Sequence, residues 1–347
     1  MNLGKWIGLA VLCVSLFILW QIRQVILLVF AAVVLASGMN ALSRLLIGRF
    51  KLKRGAAIPL VIGFLLSISI VFGLLVIPPF VAQSKELAAL VPQSLNRLES
   101  LFHWLEQKFP GQSLINDNFL QDLQKQFTPL VGSLLGNFFA IFSNSLAVVL
   151  NILLVVILSI MFLLEPEKYK GLFVRLFPAF YRRRIDEVLK LCETALENWM
   201  AGTLFNMLVI GLSSFIALLI LQVRLPLANA LIAGVFEAIP TIGPTLSVLP
   251  PMAIALLDSP WKAGLVLALY FLIQQLEQYL LVPTVMAKQV SLLPAVTLLS
   301  QIVFAIFFGF LGLLLALPLV IVGQIWIKEI LVKDVLDHWQ EPPHPLS

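Results

Sequence analysis

Two acidic residues lie inside long apolar stretches of this sequence. Glu237 is in the run from Pro226 to Leu257, and Glu277 is in the apolar run that follows. A carboxyl group in such a run is energetically costly, and residues of this kind typically bind or relay protons and cations. The two glutamates are therefore the first candidates for chemistry.

If both runs cross a bilayer, the two carboxyl groups should reach a similar depth. Glu237 lies ten residues after Leu227, about 15 Å along a helix. Glu277 lies eleven residues before Lys288, about 16 Å from the same face. The hydrocarbon core is about 30 Å thick, so we expect both residues near its middle, in one layer.

Glutamines accompany Glu277 in the sequence QQLEQ. On a helix, Gln274, Glu277 and Gln278 share one face, and Gln275 is adjacent to it. These amides could contact a polar solute or a cation inside the bundle. They could equally join two helices through hydrogen bonds of about 0.6 to 2 kcal/mol, and the sequence leaves both readings open.

The segment after Glu237, AIPTIGP at 238–244, contains several helix breakers. Proline lacks an N–H group and clashes with the preceding turn, and broken backbone at membrane depth survives only inside protein or beside water. Unwound helices in transporters bind ions and substrates, although a simple proline kink is the alternative. The candidate path residues are Pro240, Thr241, Gly243 and Pro244, with Gln274, Gln275 and Gln278 from the next span.

The composition identifies the elements that must position these residues. Of 347 residues, 60% are hydrophobic and 12% are charged, against about 25% charged in soluble domains. The mean hydropathy is +1.01. We therefore predict an all-α, polytopic membrane protein with about eight transmembrane helices and a broken sixth helix.

The apolar runs and the charged stretches between them divide the chain into six segments. An amphipathic helix is expected at Tyr181–Trp199, followed by a span at about Ala201–Gln222. Whether residues 6–42 form two spans or one bent helix stays open. The predicted segments are 1–82 (transmembrane helices 1–3), 83–128 (an extracytoplasmic arm of amphipathic helices), 129–164 (a long fourth helix), 165–200 (a cytoplasmic basic helical segment), 201–327 (transmembrane helices 5–8, the transport core) and 328–347 (a cytoplasmic tail).

The basic residues indicate the orientation of the chain. With eight spans, 16 of the 23 Lys and Arg residues fall on the side of the two termini. Because cytoplasmic loops are enriched in Lys and Arg, we predict cytoplasmic termini in a bacterial-type inner membrane. The same bias explains the net charge of +5 without a nucleic-acid partner.

Several kinds of chemistry lack support in the sequence. No G-x-x-x-x-G-K-[ST] phosphate loop and no H-E-x-x-H motif is present. Cys13 and Cys192 are far apart, and the three histidines do not cluster, so neither a disulfide framework nor a metal site is indicated. We expect no enzyme activity, no cofactor and no metal.

Four motifs carry a family resemblance over roughly residues 150–330. They are WMAGTLFN (199–206), AIPTIGP (238–244), QQLEQYLLVPTVMAKQVSLLP (274–294) and GFLGLLLALPL (309–319). In this order and spacing they resemble the autoinducer-2 exporter family, also called PerM-like permeases. The chain departs from the family at Glu237-Ala238, where Asn-Leu or Asn-Ile is frequent, and at Thr241, where an aromatic residue is frequent.

The resemblance implies a polytopic transporter that exports the furanosyl signalling molecule autoinducer-2. It also implies homo-oligomers, namely pentamers, and Na⁺/H⁺ antiport in some members. Our first hypothesis is export of a small polar organic molecule, with Glu237 and Glu277 binding the coupling H⁺ or Na⁺. A Na⁺(Li⁺)/H⁺ antiporter without an organic substrate is the second hypothesis, and a non-transporting membrane scaffold is the third.

Overall fold

The computed structural model describes residues 14–78 except positions 16, 19, 68, 69, 72 and 75–77, then residues 146–281 and 293–337. Within these ranges every regular element is a helix, so the all-α prediction is confirmed there. The predicted arm at 83–128 lies outside the described residues. So do the start of the fourth helix and the end of the tail.

The described helices follow one another with short connections. In chain order they are α1 (Arg23–Phe50), α2 (Arg54–Ser67), α3 (Leu146–Leu164), α4 (Pro166–Arg175), α5 (Arg182–Ile220), α6 (Pro226–Phe236), α7 (Ile242–Ser247), α8 (Leu249–Asp258), α9 (Pro260–Leu276) and α10 (Pro294–Trp326). A 3-10 turn, Ala179–Tyr181, precedes α5. The π-helical segments Glu277–Leu281 and Ile327–Leu336 continue α9 and α10.

Four helical segments of the described chain are long and apolar enough to cross a membrane, and α3 with α4 adds a fifth if that bent pair is one span. The four are Arg23–Phe50, Ala179–Ile220, Pro260–Leu281 and Pro294–Leu336. The protein is thus an integral membrane protein. The predicted total of eight spans depends partly on residues outside the described ranges.

The chain divides into two compact units. The first comprises Met1–Gly63, Val149–Ala201 and Lys288–Ser347, and the second comprises Phe64–Val148 and Gly202–Ala287. The two units therefore alternate along the sequence.

The core of the first unit is built from helical stripes of apolar residues. Four residues of α5 at spacings of three and four form one face, which packs with α1 and α10. The hydroxyl of Ser159 on α3 also donates to the carbonyl of Ala32 on α1 at 3.1 Å. The core residues are Val34, Val188, Cys192, Leu196, Trp199, Leu317, Ile321 and Ile325.

Helix α5 is continuous where the sequence predicts an amphipathic helix followed by a separate span. It runs unbroken for 39 residues, Arg182–Ile220. No proline interrupts this range, and a lone glycine such as Gly202 weakens a helix by only about 1 kcal/mol. The change from charged to apolar composition within α5 is therefore a change of environment along one helix.

Helix α10 contains a kink that the sequence analysis did not predict. Gly309 has φ 66° and ψ −147°, a conformation open essentially to glycine alone. Pro318, by contrast, lies within the helix and is fully buried. The kink thus forms at the flexible residue and not at the proline.

The core of the second unit joins the end of α5 to α8 and α9. Its buried members are Leu218, Val223, Ile254, Ala255, Ala263 and Val266. At the margin of this core the Lys262 ammonium lies 2.8 Å from Asp258 and donates to the carbonyl of Gln222 at 2.7 Å. Ser259 caps α9 by accepting from the Lys262 N–H at 3.2 Å.

Candidate functional site

The second unit contains a close approach of α5 and α6 that positions the candidate glutamates. A Cβ atom on Gly234 would lie 2.7 Å from the Met207 carbonyl oxygen and 3.3 Å from the Gly211 Cα. Only glycine permits this backbone contact, in the manner of small-residue interfaces between membrane helices. Glu237 follows three residues after Gly234, so the contact fixes where its side chain begins.

Helix α6 ends at Phe236, and the backbone then unwinds as the proline and glycine content predicts. Thr241 has φ 72° and ψ −54°, and the Ile242 N–H donates to the Pro240 carbonyl at 2.8 Å. This is a γ-turn with positive φ, a rare and strained form. Strain in a β-branched residue is held by the surrounding structure and is typical of functional sites.

The chain restarts as α7 directly against the end of α6. A Cβ atom on Gly243 would overlap the carbonyl oxygen of Phe236. The Gly243 N–H donates to the Ile239 carbonyl at 2.8 Å, which links the two sides of the break. Glycine at this position therefore allows the tight return of the backbone beside Glu237.

Glu277 lies where α9 changes to a π-helical turn, a feature common at functional sites. Its carboxylate accepts from the Gln274 side-chain amide at 2.8 Å and from the Asn206 amide at 3.5 Å. The Glu237 carboxyl is its neighbour. Three helical segments thus meet at one carboxyl pair.

Both carboxyl groups of the pair are buried. Glu237 is 4% exposed and Glu277 is 6% exposed. Two side-chain amides, those of Gln274 and Asn206, donate to Glu277. One Glu237 oxygen, Oε2, is buried without a hydrogen-bond partner among the described residues.

This arrangement is suited to exchanging a proton for a cation. If both carboxyl groups were ionised they would repel each other, unless a positive charge lay beside them. Asn206 Oδ1 is also buried without a partner, so neutral and charged oxygens converge there. Among the described residues, no group of three or more His, Cys, Asp or Glu side chains could hold a metal ion.

A cleft opens beside Glu277. It has a volume of about 170 Å³, well above the about 10–15 Å³ that one water molecule needs. Its walls are mainly apolar, with the Glu277 carboxyl as the charged group. The lining residues are Val209, Ile210, Ser213, Ile273, Leu276, Glu277, Leu280 and Leu281.

The structure brings together only some of the predicted site residues. Glu237, Glu277 and Gln274 are connected, and the 238–244 break follows Glu237 directly. Gln275 is half-buried and Gln278 is exposed. No hydrogen bond of the described residues joins either to the carboxyl pair.

Asn206 is the contact that the sequence analysis did not assign to the site. It lies at the end of the WMAGTLFN motif and is 5% exposed. The sequence does contain an indication of this role, because a side-chain amide inside an apolar span needs a hydrogen-bond partner. Its pairing with Glu277, however, spans 71 residues of sequence.

Comparison with known proteins identifies the group to which this chain belongs. A family model described as AI-2E family transporter matches residues 9–332. YueF of Bacillus subtilis (strain 168), named as a transport protein, is 27% identical over 278 residues, 78% of this chain and 74% of YueF. PerM of Escherichia coli (strain K12), named as a permease, is 24% identical over 257 residues, 72% and 69% of the two chains.

A third relative carries a more specific name. The AI-2 transport protein TqsA of Escherichia coli (strain K12) is 28% identical over 204 residues, which cover 57% of this chain and 56% of TqsA. The resemblance carried by the four sequence motifs is confirmed, and the chain belongs to the AI-2E family of transporters.

Proposed function

We propose that this membrane transporter exports a small polar organic molecule of the autoinducer-2 type, with H⁺ or Na⁺ as the coupling ion. The observation that carries the proposal is the buried Glu237–Glu277 pair beside the strained break in the sixth predicted span. A carboxyl pair holding one proton changes its charge when that proton leaves. Coupling requires such a change next to the substrate path.

The substrate is proposed to pass along the cleft and the broken backbone. Pro240, Thr241, Gly243 and Pro244 would expose backbone groups there, as in other broken-helix transporters. A substrate that contacts Gln274 would alter the hydrogen bond from its amide to Glu277. Gln275 and Gln278 would contact the substrate farther along the path, when the transporter adopts a conformation other than the one described above.

Transport by purified protein in proteoliposomes tests the proposal. We expect a panel of polar solutes that includes autoinducer-2 to show flux that responds to an imposed pH or Na⁺ gradient. Glu237→Gln and Glu277→Gln should abolish that response, because neither amide can release a proton. Glu167→Gln, at an exposed carboxyl, is the matched control and should retain it. Unchanged transport and pH dependence in Glu237→Gln would refute the coupling role.

A Na⁺(Li⁺)/H⁺ antiporter without an organic substrate is the second candidate. It is favoured by the two unpartnered buried oxygens, Glu237 Oε2 and Asn206 Oδ1, since hard cations prefer oxygen ligands. Proton movement on adding Na⁺ or Li⁺ to everted vesicles, followed with a pH-sensitive dye, tests this function. Silence in that assay together with solute flux in proteoliposomes would eliminate it.

We further propose the eight-span topology, with cytoplasmic termini in an inner membrane, the extracytoplasmic arm at 83–128 and assembly as a homo-oligomer of the pentameric type. The distribution of Lys and Arg supports the orientation, and the family resemblance is the ground for proposing the homo-oligomer. Accessibility of single introduced cysteines to an impermeant reagent in intact cells tests the topology. Labelling at position 100 but not at position 53, in the exposed basic segment after α1, is the expected result.

A further inference from the structure

The segment 165–183, here called the elbow, follows α3 in the first unit, at the end of the fourth span that the sequence predicts. Helix α3 ends at Leu164, and α4 leaves it at an angle of 93°. A helix perpendicular to a spanning helix runs along the membrane surface. Amphipathic helices in this position bury an apolar face about 5–10 Å into the boundary between headgroups and acyl chains.

The elbow exposes large apolar side chains in a charged stretch of the chain. Leu176 is 79% exposed and Phe180 is 88% exposed, and Leu172 is also exposed. Exposed apolar residues within a span need no special account, because lipid covers them. These three lie among Lys and Arg residues, where a purely aqueous environment would leave them uncovered.

The cationic side chains of the elbow fall into two groups. Lys168 and Lys170 are neutralised by Glu165 at 2.6 Å and by Asp186 at 2.8 Å. Arg175 takes part in no ion pair of the described residues.

The remaining arginines of the elbow, Arg182 and Arg183, lie just beyond Phe180. Arg182 donates to the carbonyls of Phe177 at 3.0 Å and Arg175 at 3.4 Å and has no carboxylate partner among the described residues. Arg183 is 94% exposed at its side chain, and among the described residues its one ion pair is with Glu187, at 3.4 Å. The net positive charge therefore lies around Leu176 and Phe180.

We propose that the elbow is a membrane-surface anchor, in which Leu176 and Phe180 enter the headgroup boundary and Arg175 and Arg183 bind anionic phospholipid headgroups. The charge complementarity and the right-angled bend after α3 both favour this occupant. Long arginine side chains suit the site because their stems lie along apolar surface while the guanidinium stays in the polar layer. The anchor does not depend on the proposed substrate or coupling ion.

A quenching experiment on the full-length protein in nanodiscs tests the anchor. Phe180→Cys, in a Cys13→Ser/Cys192→Ser background, carries an environment-sensitive bimane label. Quenching is compared between brominated phosphatidylglycerol and brominated phosphatidylcholine at equal fractions, and with aqueous iodide. We expect strong quenching by the lipids, preference for phosphatidylglycerol and little quenching by iodide.

The charge contribution is measured with a double variant that spares the backbone contacts of Arg182. Arg175→Gln/Arg183→Gln should reduce the phosphatidylglycerol preference at least about fivefold at low salt, since each cation near the surface contributes about that factor. Lys190→Gln/Lys333→Gln removes the same charge from cations that hold carboxylates, and should leave the preference unchanged. Salt should weaken the preference of the parent protein.

Three outcomes would overturn the proposal. Quenching by iodide as strong as by lipid would mean that the elbow lies in water. Shielding from both quenchers would mean that a protein surface, such as a second copy, covers it. Equal loss of preference in the two double variants would mean that total charge, and not the elbow, attracts the lipid.

Discussion

In the first unit the buried carboxylate of Glu329 lies 3.0 Å from Arg184 and 2.7 Å from Lys333, whereas in the second unit Glu237 and Glu277 lie against each other. No Lys or Arg of the described residues forms a salt bridge with that second pair. A buried charge with a fixed counter-ion is part of the structure, and removing one partner is destabilising. A carboxyl pair without a fixed counter-ion remains able to bind and release a cation.

The comparison extends to other acidic residues of the first unit. Asp186 contacts Lys170 and Lys190 at 2.8 and 2.7 Å, and Glu197 is paired with Arg44. The first unit thus uses acidic residues to join helices. In the second unit no described Lys or Arg forms a salt bridge with Glu237 or Glu277, and the candidate site lies there.

The largest effect is expected when a cationic side chain is introduced beside the carboxyl pair of the second unit. Gln274→Lys places an ammonium beside Glu277, where the amide now donates at 2.8 Å. We expect coupled transport to fall to the background of empty liposomes, with thermal stability retained. Trp261→Lys, which adds the same charge at an exposed position in the first turn of α9, is the matched control. Full coupled transport by Gln274→Lys would show that the pair does not need a free site for a cation.

Removing a cationic side chain from the first unit tests whether its paired carboxylates are structural. Arg184→Gln leaves Glu329 and Asp334 without their guanidinium contacts at 3.0 Å. We expect a loss of about 2–4 kcal/mol, since the site is partly buried, with transport per folded molecule retained. Thermal unfolding followed by size-exclusion chromatography measures the change.

The neighbouring residue provides the control for that measurement. Arg183→Gln removes an exposed charge with one long contact, so we expect a change below about 1 kcal/mol. Equal destabilisation by Arg183→Gln and Arg184→Gln would contradict a structural role specific to the buried cluster. Loss of transport in folded Arg184→Gln would extend the functional role into the first unit.

The smallest expected effect concerns a paired carboxylate in the second unit itself. The hydrogen bond from Lys262, with further charge attraction from Lys262 and Arg224, lowers the pKa of Asp258 below its usual value. The pair therefore stabilises the folded state above the usual Asp pKa of about 4, and this contribution disappears as pH falls through the lowered value.

Asp258→Asn should consequently reduce stability at neutral pH by less than about 1 kcal/mol, because Asp258 is partly exposed. Unfolding temperatures of the parent and the variant should converge as the pH falls below about 4. If the two unfolding temperatures still differ by the same amount at this low pH, the shape of the side chain and not its charge stabilises the contact. Transport should be the same in both proteins, unlike the Gln274→Lys case.

Parts of the candidate site follow from local sequence. The 238–244 break is predicted because proline cannot donate a backbone hydrogen bond, and the depth of Glu237 and Glu277 follows from helix rise. Other parts do not follow. The Asn206 contact joins residues far apart in the chain, and the exposure of Gln278 does not follow from its spacing to Gln274.

The fold shows the same division between local and long-range information. The sequence predicts two elements where α5 is one continuous helix, because the charged and apolar halves of α5 resemble different helices. The kink at Gly309 was missed, since glycine in an apolar run is common and Pro318 is the more obvious breaker. The backbone strain at Thr241 is also invisible in sequence, because it arises from the return of α7 against α6.

The sequence by itself determined the membrane class, the helical architecture, the family and the positions of the two glutamates and the break. These depend on composition and on chemistry within a few residues. Only the tertiary structure decided that Glu237 and Glu277 lie beside each other, that Asn206 and Gln274 donate to Glu277, and that α4 turns away at 93°. The contacts of Glu237 and Asn206 depend on where helices cross, and the close Gly211–Gly234 approach brings α6 against α5.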